Sequence, residues 1–255
     1  MLTTGDMFVF MLILMRVIGM MMMVPFLSHS SIPVIARVAF AAAFALIVFP
    51  IVELEQAYPT SLGVLVLWFA KELAVGWCMG LAVRMIFFVL DFAAHVLTVE
   101  IGLMPSPEFD PSKGGAFNPL GSIMYFFGMV LLLSGTEYDM FLAYIDSYQV
   151  APVEYWGVNE YSVERIVFRS LGVFKIGMLM SAPVIAVNFL VNLIFAVLGK
   201  VVPKLNVFIL SFSARIMAGI TVLSLSIVLF VHYIFAYLEQ TPEMMMRFIL
   251  FRPNF

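Results

Sequence analysis

Six stretches of the chain carry few polar residues, at about 7–27, 34–52, 62–98, 116–135, 166–198 and 205–238. Each meets or approaches the roughly 20 residues a helix needs to cross a hydrocarbon core about 30 Å thick. Within them the apolar residues are contiguous, without the alternating pattern of about ten residues that marks barrel strands. In lipid the backbone must bond within its own segment or around a closed barrel. The pattern therefore predicts an all-α membrane protein of about six long apolar segments.

The lengths are uneven. The runs at 62–98, 166–198 and 205–238 are too long for upright spans, because about 34 residues in one helix extend about 50 Å at 1.5 Å per residue. Such segments either tilt and kink, or form helical hairpins covered by neighbouring protein. Pro183, Gly76 and Gly80 are candidate break points, and Pro25 and Pro203 stand near the ends of runs. The Gly76-x-x-x-Gly80 spacing also permits close approach of two backbones, a weak signal by itself.

Composition sharpens this picture. Of 255 residues 64% are hydrophobic and 11% charged, against about 25% charged in a soluble domain, and the mean hydropathy is +1.09. Lipid, other subunits or both must cover the exterior. Thirteen basic and sixteen acidic residues, without a basic cluster, exclude a nucleic-acid surface built on phosphate contacts. The lone cysteine, Cys78, makes no internal disulfide and reads as a small core residue. The first residues lack a basic region and Arg16 interrupts the run behind them, so this stretch is expected to be retained as the first segment.

Basic residues favour the cytoplasmic side. Linkers 28–37, 105–115 and 199–204 hold Arg37, Lys113, Lys200 and Lys204, whereas 53–59 and 136–164 hold acids and neither Lys nor Arg. Six crossings with the first segment entering from outside satisfy this alternation. Arg247 and Arg252 in the tail fit it least.

Ionisable and amide side chains lie inside or beside the apolar runs: Arg16, Lys71, Glu72, Arg84, Asp91, His95, Lys175, Asn188, Asn192 and Arg215. A charge at mid-bilayer costs about 2.5–3.5 kcal/mol even on lenient scales. These groups are expected to face one another or partner subunits, or to snorkel to the headgroups. Lys71 and Glu72 are about 100° apart on a helix and do not pair well, so each needs a partner elsewhere. Asp91 and His95 share a face, suited to a proton relay or to a hydrogen-bonded pair between helices.

Catalytic chemistry finds no foothold. His29, His95 and His232 are scattered, paired cysteines are absent, and no zinc-site spacing occurs. Neither a phosphate-binding Gly-rich string nor a nucleophile elbow is present. No cofactor, metal or enzymatic activity is expected. The 20 methionines, with runs at Met20–Met23 and Met244–Met246, either seal irregular gaps, line a deformable passage, or serve as ordinary apolar filler. The stretch from Met104 to Pro119 holds four prolines, two adjacent glycines, Phe109 and Phe117. It cannot be a helix. It is either an exposed connection or a buried loop whose two phenylalanines stop a passage.

Several blocks, in order, resemble the FliR/YscT family of type III export-gate subunits. These are Arg16, Pro25, Pro33 and Arg37; Glu72-x-x-x-Gly76-x-x-x-Gly80; Glu100-Ile-Gly102; Asp110-Pro111; Ser147 with Pro152; Ser181-Ala-Pro183; and the string from Pro203 through Asn206 and Phe208 to Arg215. His95, Glu100 and the pair Thr136-Glu137 depart from the family pattern. The similarity covers nearly the whole chain and leans towards flagellar members.

The resemblance implies a FliP-like part over 1–165, followed by a FliQ-like hairpin and tail over 166–255, held in a bacterial inner-membrane complex of the flagellar basal body. Its implied partners are FliP-like, FliQ-like, FlhB-like and FlhA-like subunits, membrane lipid, and unfolded export substrates. Residues 104–119 would form the plug, with Phe109, Asp110, Pro111, Gly114, Gly115 and Phe117 at its centre. Arg16, Arg37, Lys71, Glu72, Asp91, Glu100, Asn206 and Arg215 would make assembly contacts. The alternatives are an injectisome gate subunit of the YscT type, or a secondary transporter or proton channel built on Asp91, His95 and Lys71.

Overall fold

The computed structural model describes residues 4–28, 32–52, 61–103, 118–154, 156–157, 160–202 and 206–250. Among these residues the chain is all-α: α1 (Thr4–Met23), α2 (Pro25–Ser28), α3 (Val34–Val48), α4 (Leu62–Ile101), α5 (Pro119–Leu132), α6 (Glu137–Val150), α7 (Glu160–Val201), α8 (Val207–Leu225), α9 (Ile227–Leu238) and α10 (Thr241–Ile249).

Among the described residues four helices are long and apolar enough to cross a membrane, α1, α4, α7 and α8, or up to five crossings if α5 and α6, bent by 70°, count as one. That is fewer than the six apolar runs. The run at 34–52 is helical for only 15 residues, and Pro50 just beyond cannot supply the amide that would extend the ladder. The run at 205–238 divides at Ser226 into α8 and α9.

The expected break points behave differently from one another. Pro25 opens a new short helix after α1 ends. Gly76 and Gly80 do not interrupt α4, which continues for 40 residues, and Pro183 lies inside the 42 residues of α7 without ending it. An apolar surrounding raises the cost of opening further backbone bonds, so the helix carries through at the loss of one. The end of α4 is built by Gly102 at φ 84°. Its amide donates to the Val99 carbonyl at 3.2 Å and the Leu103 amide to the Thr98 carbonyl at 3.0 Å. Glycine reaches this left-handed conformation without steric cost.

The segment 136–164, read as an acidic linker, instead holds α6 and the first turn of α7. Glu137 and Asp139 in the first turn of α6 complement the positive end of the helix dipole. Ala143, Tyr144, Ser147 and Tyr148 form its buried face. α10 is amphipathic, with Met244, Met245, Phe248 and Ile249 buried, and it packs on α6.

The helices form two compact units that are discontinuous in sequence. The first takes residues 1–86, 132–170 and 238–255, and the second 87–131 and 171–237. In the first, α1 and the early part of α4 run parallel, because contacts climb together along both: Gly19 against Leu73, Gly76 against Arg16, and Gly80 against Met20. Phe44 of α3 meets Phe141 and Tyr144 of α6 edge-on at 5.7 and 5.4 Å. In the second, α4 and α7 are also parallel. Phe92 meets Phe174 at 5.2 Å, Ser181 Oγ donates to the Ala93 carbonyl at 3.4 Å, and Asn188 Nδ2 to the Glu100 carbonyl at 2.7 Å.

Candidate functional site

The largest polar assembly among the described residues lies in the first unit around Arg16, whose side chain is fully buried. Its guanidinium makes a two-pronged pair with Glu72, Nε to Oε2 at 2.5 Å and Nη2 to Oε1 at 3.0 Å. The remaining donors reach α6 and the turn beyond it: Nη1 donates to Ser147 Oγ at 2.8 Å and Nη2 to the Ala151 carbonyl at 2.9 Å. The Tyr148 ring lies 3.9 Å from the guanidinium carbon, a cation–π contact. Tyr148 and Tyr144 hydroxyls share a hydrogen bond of 2.8 Å, and Tyr144 donates to the Ile13 carbonyl at 3.4 Å.

Backbone geometry makes this possible. A Cβ at Gly76 would overlap the Arg16 carbonyl, and one at Gly19 the Leu73 carbonyl. The small residues let α1 and α4 approach until Arg16 and Glu72 meet side by side. One turn nearby is held as well, since Lys71 Nζ donates to the carbonyls of Val153 and Glu154 at 3.2 and 3.4 Å. Trp156 Nε1 donates to the Ile249 carbonyl at 3.0 Å, tying in the end of α10. A buried pair of this kind is costly to break, about 3–5 kcal/mol when one partner is removed, because the other charge is stranded.

The second unit arranges its polar groups differently. Asp91, His95, Lys175 and Asn192 are exposed, on helices whose surroundings are apolar, with no partner among the described residues. Asn188 is buried, and while its amide nitrogen is engaged, Oδ1 has no partner. Arg215 is half-buried on α8 and its Nε, shielded from solvent, also lacks one. Gly219 packs on Ile101 and Phe212 faces Gly102, so the stretch of α8 carrying Arg215 passes the end of α4.

The remaining expected residues are placed as follows. Arg37 caps its own entry into α3, with Nε and Nη2 donating to the Ile32 carbonyl at 3.2 and 3.0 Å. Asn206 accepts from the Ile209 amide at 3.4 Å and so caps α8. Glu100 is half-buried and offers its backbone carbonyl to Asn188. Phe109, Asp110, Pro111, Gly114, Gly115, Phe117 and Pro203 lie outside the described residues. Arg16, Lys71 and Glu72 are thus brought together, and the partners that Lys71 and Glu72 need come from the same chain. Sequence reasoning missed Tyr144, Tyr148 and Trp156. The spacing Tyr144-x-x-Ser147-Tyr148 at i, i+3 and i+4 was the available signal.

Chemically the Arg16 cluster is a fastening, since it joins α1, α4, α6 and the following turn and leaves no donor aimed at open space. No group of three or more His, Cys, Asp or Glu able to hold a metal ion occurs among the described residues.

Residues 7–241 match the family described as bacterial export proteins, family 1. The chain is similar to the flagellar biosynthetic protein FliR of Bacillus subtilis, 27% identical over 211 residues and covering 81% of each chain. It is similar to the flagellar biosynthetic protein FliR of Caulobacter vibrioides, 25% identical over 228 residues, 88% of this chain and 90% of the relative. The Yop proteins translocation protein T of Yersinia pestis is 24% identical over 204 residues, 78% of each.

Proposed function

The chain belongs to the bacterial export proteins, family 1, and from that membership we propose that it is a pore-forming and assembly subunit of the flagellar type III protein export gate. It is an all-α, multi-pass membrane protein by the number of its long apolar helices. We place it in the bacterial inner membrane, as part of the flagellar basal body, where it passes unfolded flagellar proteins without chemistry of its own. The energy for transport then comes from other components.

The observation that carries this reading is the agreement of the family match over 7–241 with relatives named for flagellar biosynthesis across four-fifths or more of the chain. Polar groups at membrane depth in the second unit support it, because lipid cannot satisfy Asp91, Arg215 or Asn188 Oδ1 whereas facing subunits can. FliP-like and FliQ-like chains are the proposed neighbours, with FlhB-like and FlhA-like subunits beyond. The division into a FliP-like 1–165 and a FliQ-like 166–255, and the role of Phe109 and Phe117 in a plug, belong to the same proposal.

Two measurements test it. Tagged chain extracted in mild detergent is expected to bring down FliP-like and FliQ-like chains; recovery as a lone, stable monomer from cells expressing all of them would overturn the assembly role. Deleting residues 106–116 in an assembled complex is expected to raise leakage of small ions across the inner membrane, and unchanged leakage would remove the plug.

A further inference from the structure

In the second unit α4 and α5 run antiparallel. The start of α5 meets the end of α4, where Asn118 touches Thr98. Further along α5, Tyr125 and Gly128 lie against Phe87 and Leu90, well back on α4. Residues 104–117, outside the described part, join the two helices. Fully extended, a stretch of that length reaches about 45 Å, yet the residues at its two ends are bonded to a single side chain and its own carbonyl.

That residue is Thr98, 2% exposed in the last turn of α4. Its carbonyl accepts from the Leu103 amide at 3.0 Å, which holds the outgoing end. Its hydroxyl lies 2.7 Å from the Ala94 carbonyl and 2.9 Å from Asn118 Oδ1, so one proton is shared between two acceptors. Thr136, Ser170 and Thr221 make the same bond to a carbonyl four residues back; Thr98 also reaches a residue twenty positions ahead.

Asn118 is built to receive it. Its Oδ1 accepts from the Gly121 amide at 3.1 Å, and its carbonyl from the Ser122 amide at 3.0 Å, so it caps α5. Pro119 fills the first helical position, where a missing N–H costs nothing. A carboxamide oxygen has two lone pairs. One starts α5, and the other fastens that start to α4.

We propose that the Thr98 hydroxyl is the positioning group that holds the two ends of residues 104–117 together, so that α5 departs from a fixed point on α4. Its bearing on export rests on the reading of 104–119 as a plug: with the hydroxyl gone, the returning end loses its tie to α4 while the outgoing end keeps its own. A net hydrogen bond of this kind shifts an equilibrium about fivefold.

The test sets shape against hydroxyl. Thr98→Val keeps the volume and the backbone bond to Leu103 and removes only the hydroxyl; Thr98→Ser keeps the hydroxyl and loses a methyl group. Spin labels at Val99→Cys and Ile123→Cys, both exposed, in the full chain carrying Cys78→Ser, report the distance between the two helix ends. Thr98→Val is expected to broaden that distance distribution and to lower the tied fraction about fivefold, while Thr98→Ser matches the parent. A role in packing alone predicts the reverse order. Asn118→Gly, a tolerable helix cap, is expected to behave as Thr98→Val and serves if the valine variant folds poorly. In assembled complexes Thr98→Val is also expected to raise small-ion leakage severalfold, and Thr98→Ser to leave it unchanged. An equally narrow distribution in the valine and glycine variants, or equal broadening by serine, overturns the tie. Tight valine complexes beside a leaking 106–116 deletion overturn its part in sealing and leave the plug standing. A deletion that does not leak removes the plug instead, and the distances alone then decide the tie.

Discussion

Arg16 and Arg215 both sit in helices apolar enough to span a bilayer, and their surroundings are opposite. Arg16 is enclosed by its own chain and engaged on every side, by Glu72, Ser147, the Ala151 carbonyl and the Tyr148 ring. Arg215 is half-buried and its shielded Nε has no acceptor. The contrast extends along the helices: 61% of the most apolar window of α4 is buried, against 11% for α7 and 6% for α8. The polar groups around Arg16 are satisfied within the chain, whereas Arg215 Nε and Asn188 Oδ1 have no partner among the described residues. In a membrane the distinction matters more than in water, because lipid supplies no hydrogen bonds.

Mutations can break this contrast or sharpen it. The largest effect is expected from Glu72→Ala, which strands a buried guanidinium and costs about 3–5 kcal/mol. The measurement is thermal unfolding of the isolated chain in detergent. Replacing Arg16→Met and Glu72→Leu together should regain most of the loss; a double variant no better than the single would show that the ion pair is not what holds α1 to α4.

Gly76→Ala follows, since its methyl group would overlap the Arg16 carbonyl, and overpacking of this kind costs about 1–3 kcal/mol. Its counterpart in the second unit is Gly172→Ala in α7, where nothing lies within 4 Å of the added carbon. Here the sign reverses, with a gain of up to about 1 kcal/mol from helix propensity; a loss would mean that this face is crowded in the isolated chain.

Smallest in the isolated chain is Arg215→Gln, expected to change stability by no more than about 0.5 kcal/mol. The same variant should reduce severalfold the amount of partner chains recovered with it, and full recovery would show that Arg215 meets no partner.

Much of the fold was legible in the chain's apolar patterning, because the runs mark α1, α4, α7 and α8 directly. Arg16 and Glu72 could be recognised as groups needing partners. That they partner one another was not legible, since 56 residues separate them and only packing of α1 on α4 brings them together. α6 escaped notice because Glu137, Asp139 and Asp146 made its sequence resemble a solvated connection, while its buried face is built from two tyrosines, an alanine and a serine. α10 escaped because it is only nine residues long and its longest apolar run is the three methionines Met244–Met246. Pro183 misled in the other direction: local preference disfavours helix there, and the apolar setting overrides it.

At the end of α4, a single residue with its backbone turned left-handed, Gly102, fixes the bearing on which the polypeptide leaves the helix at Leu103. That heading is decided by two local hydrogen bonds and requires no long-range contact. A side chain at Gly102 would have to hold a left-handed backbone and would press on the Phe212 ring of α8.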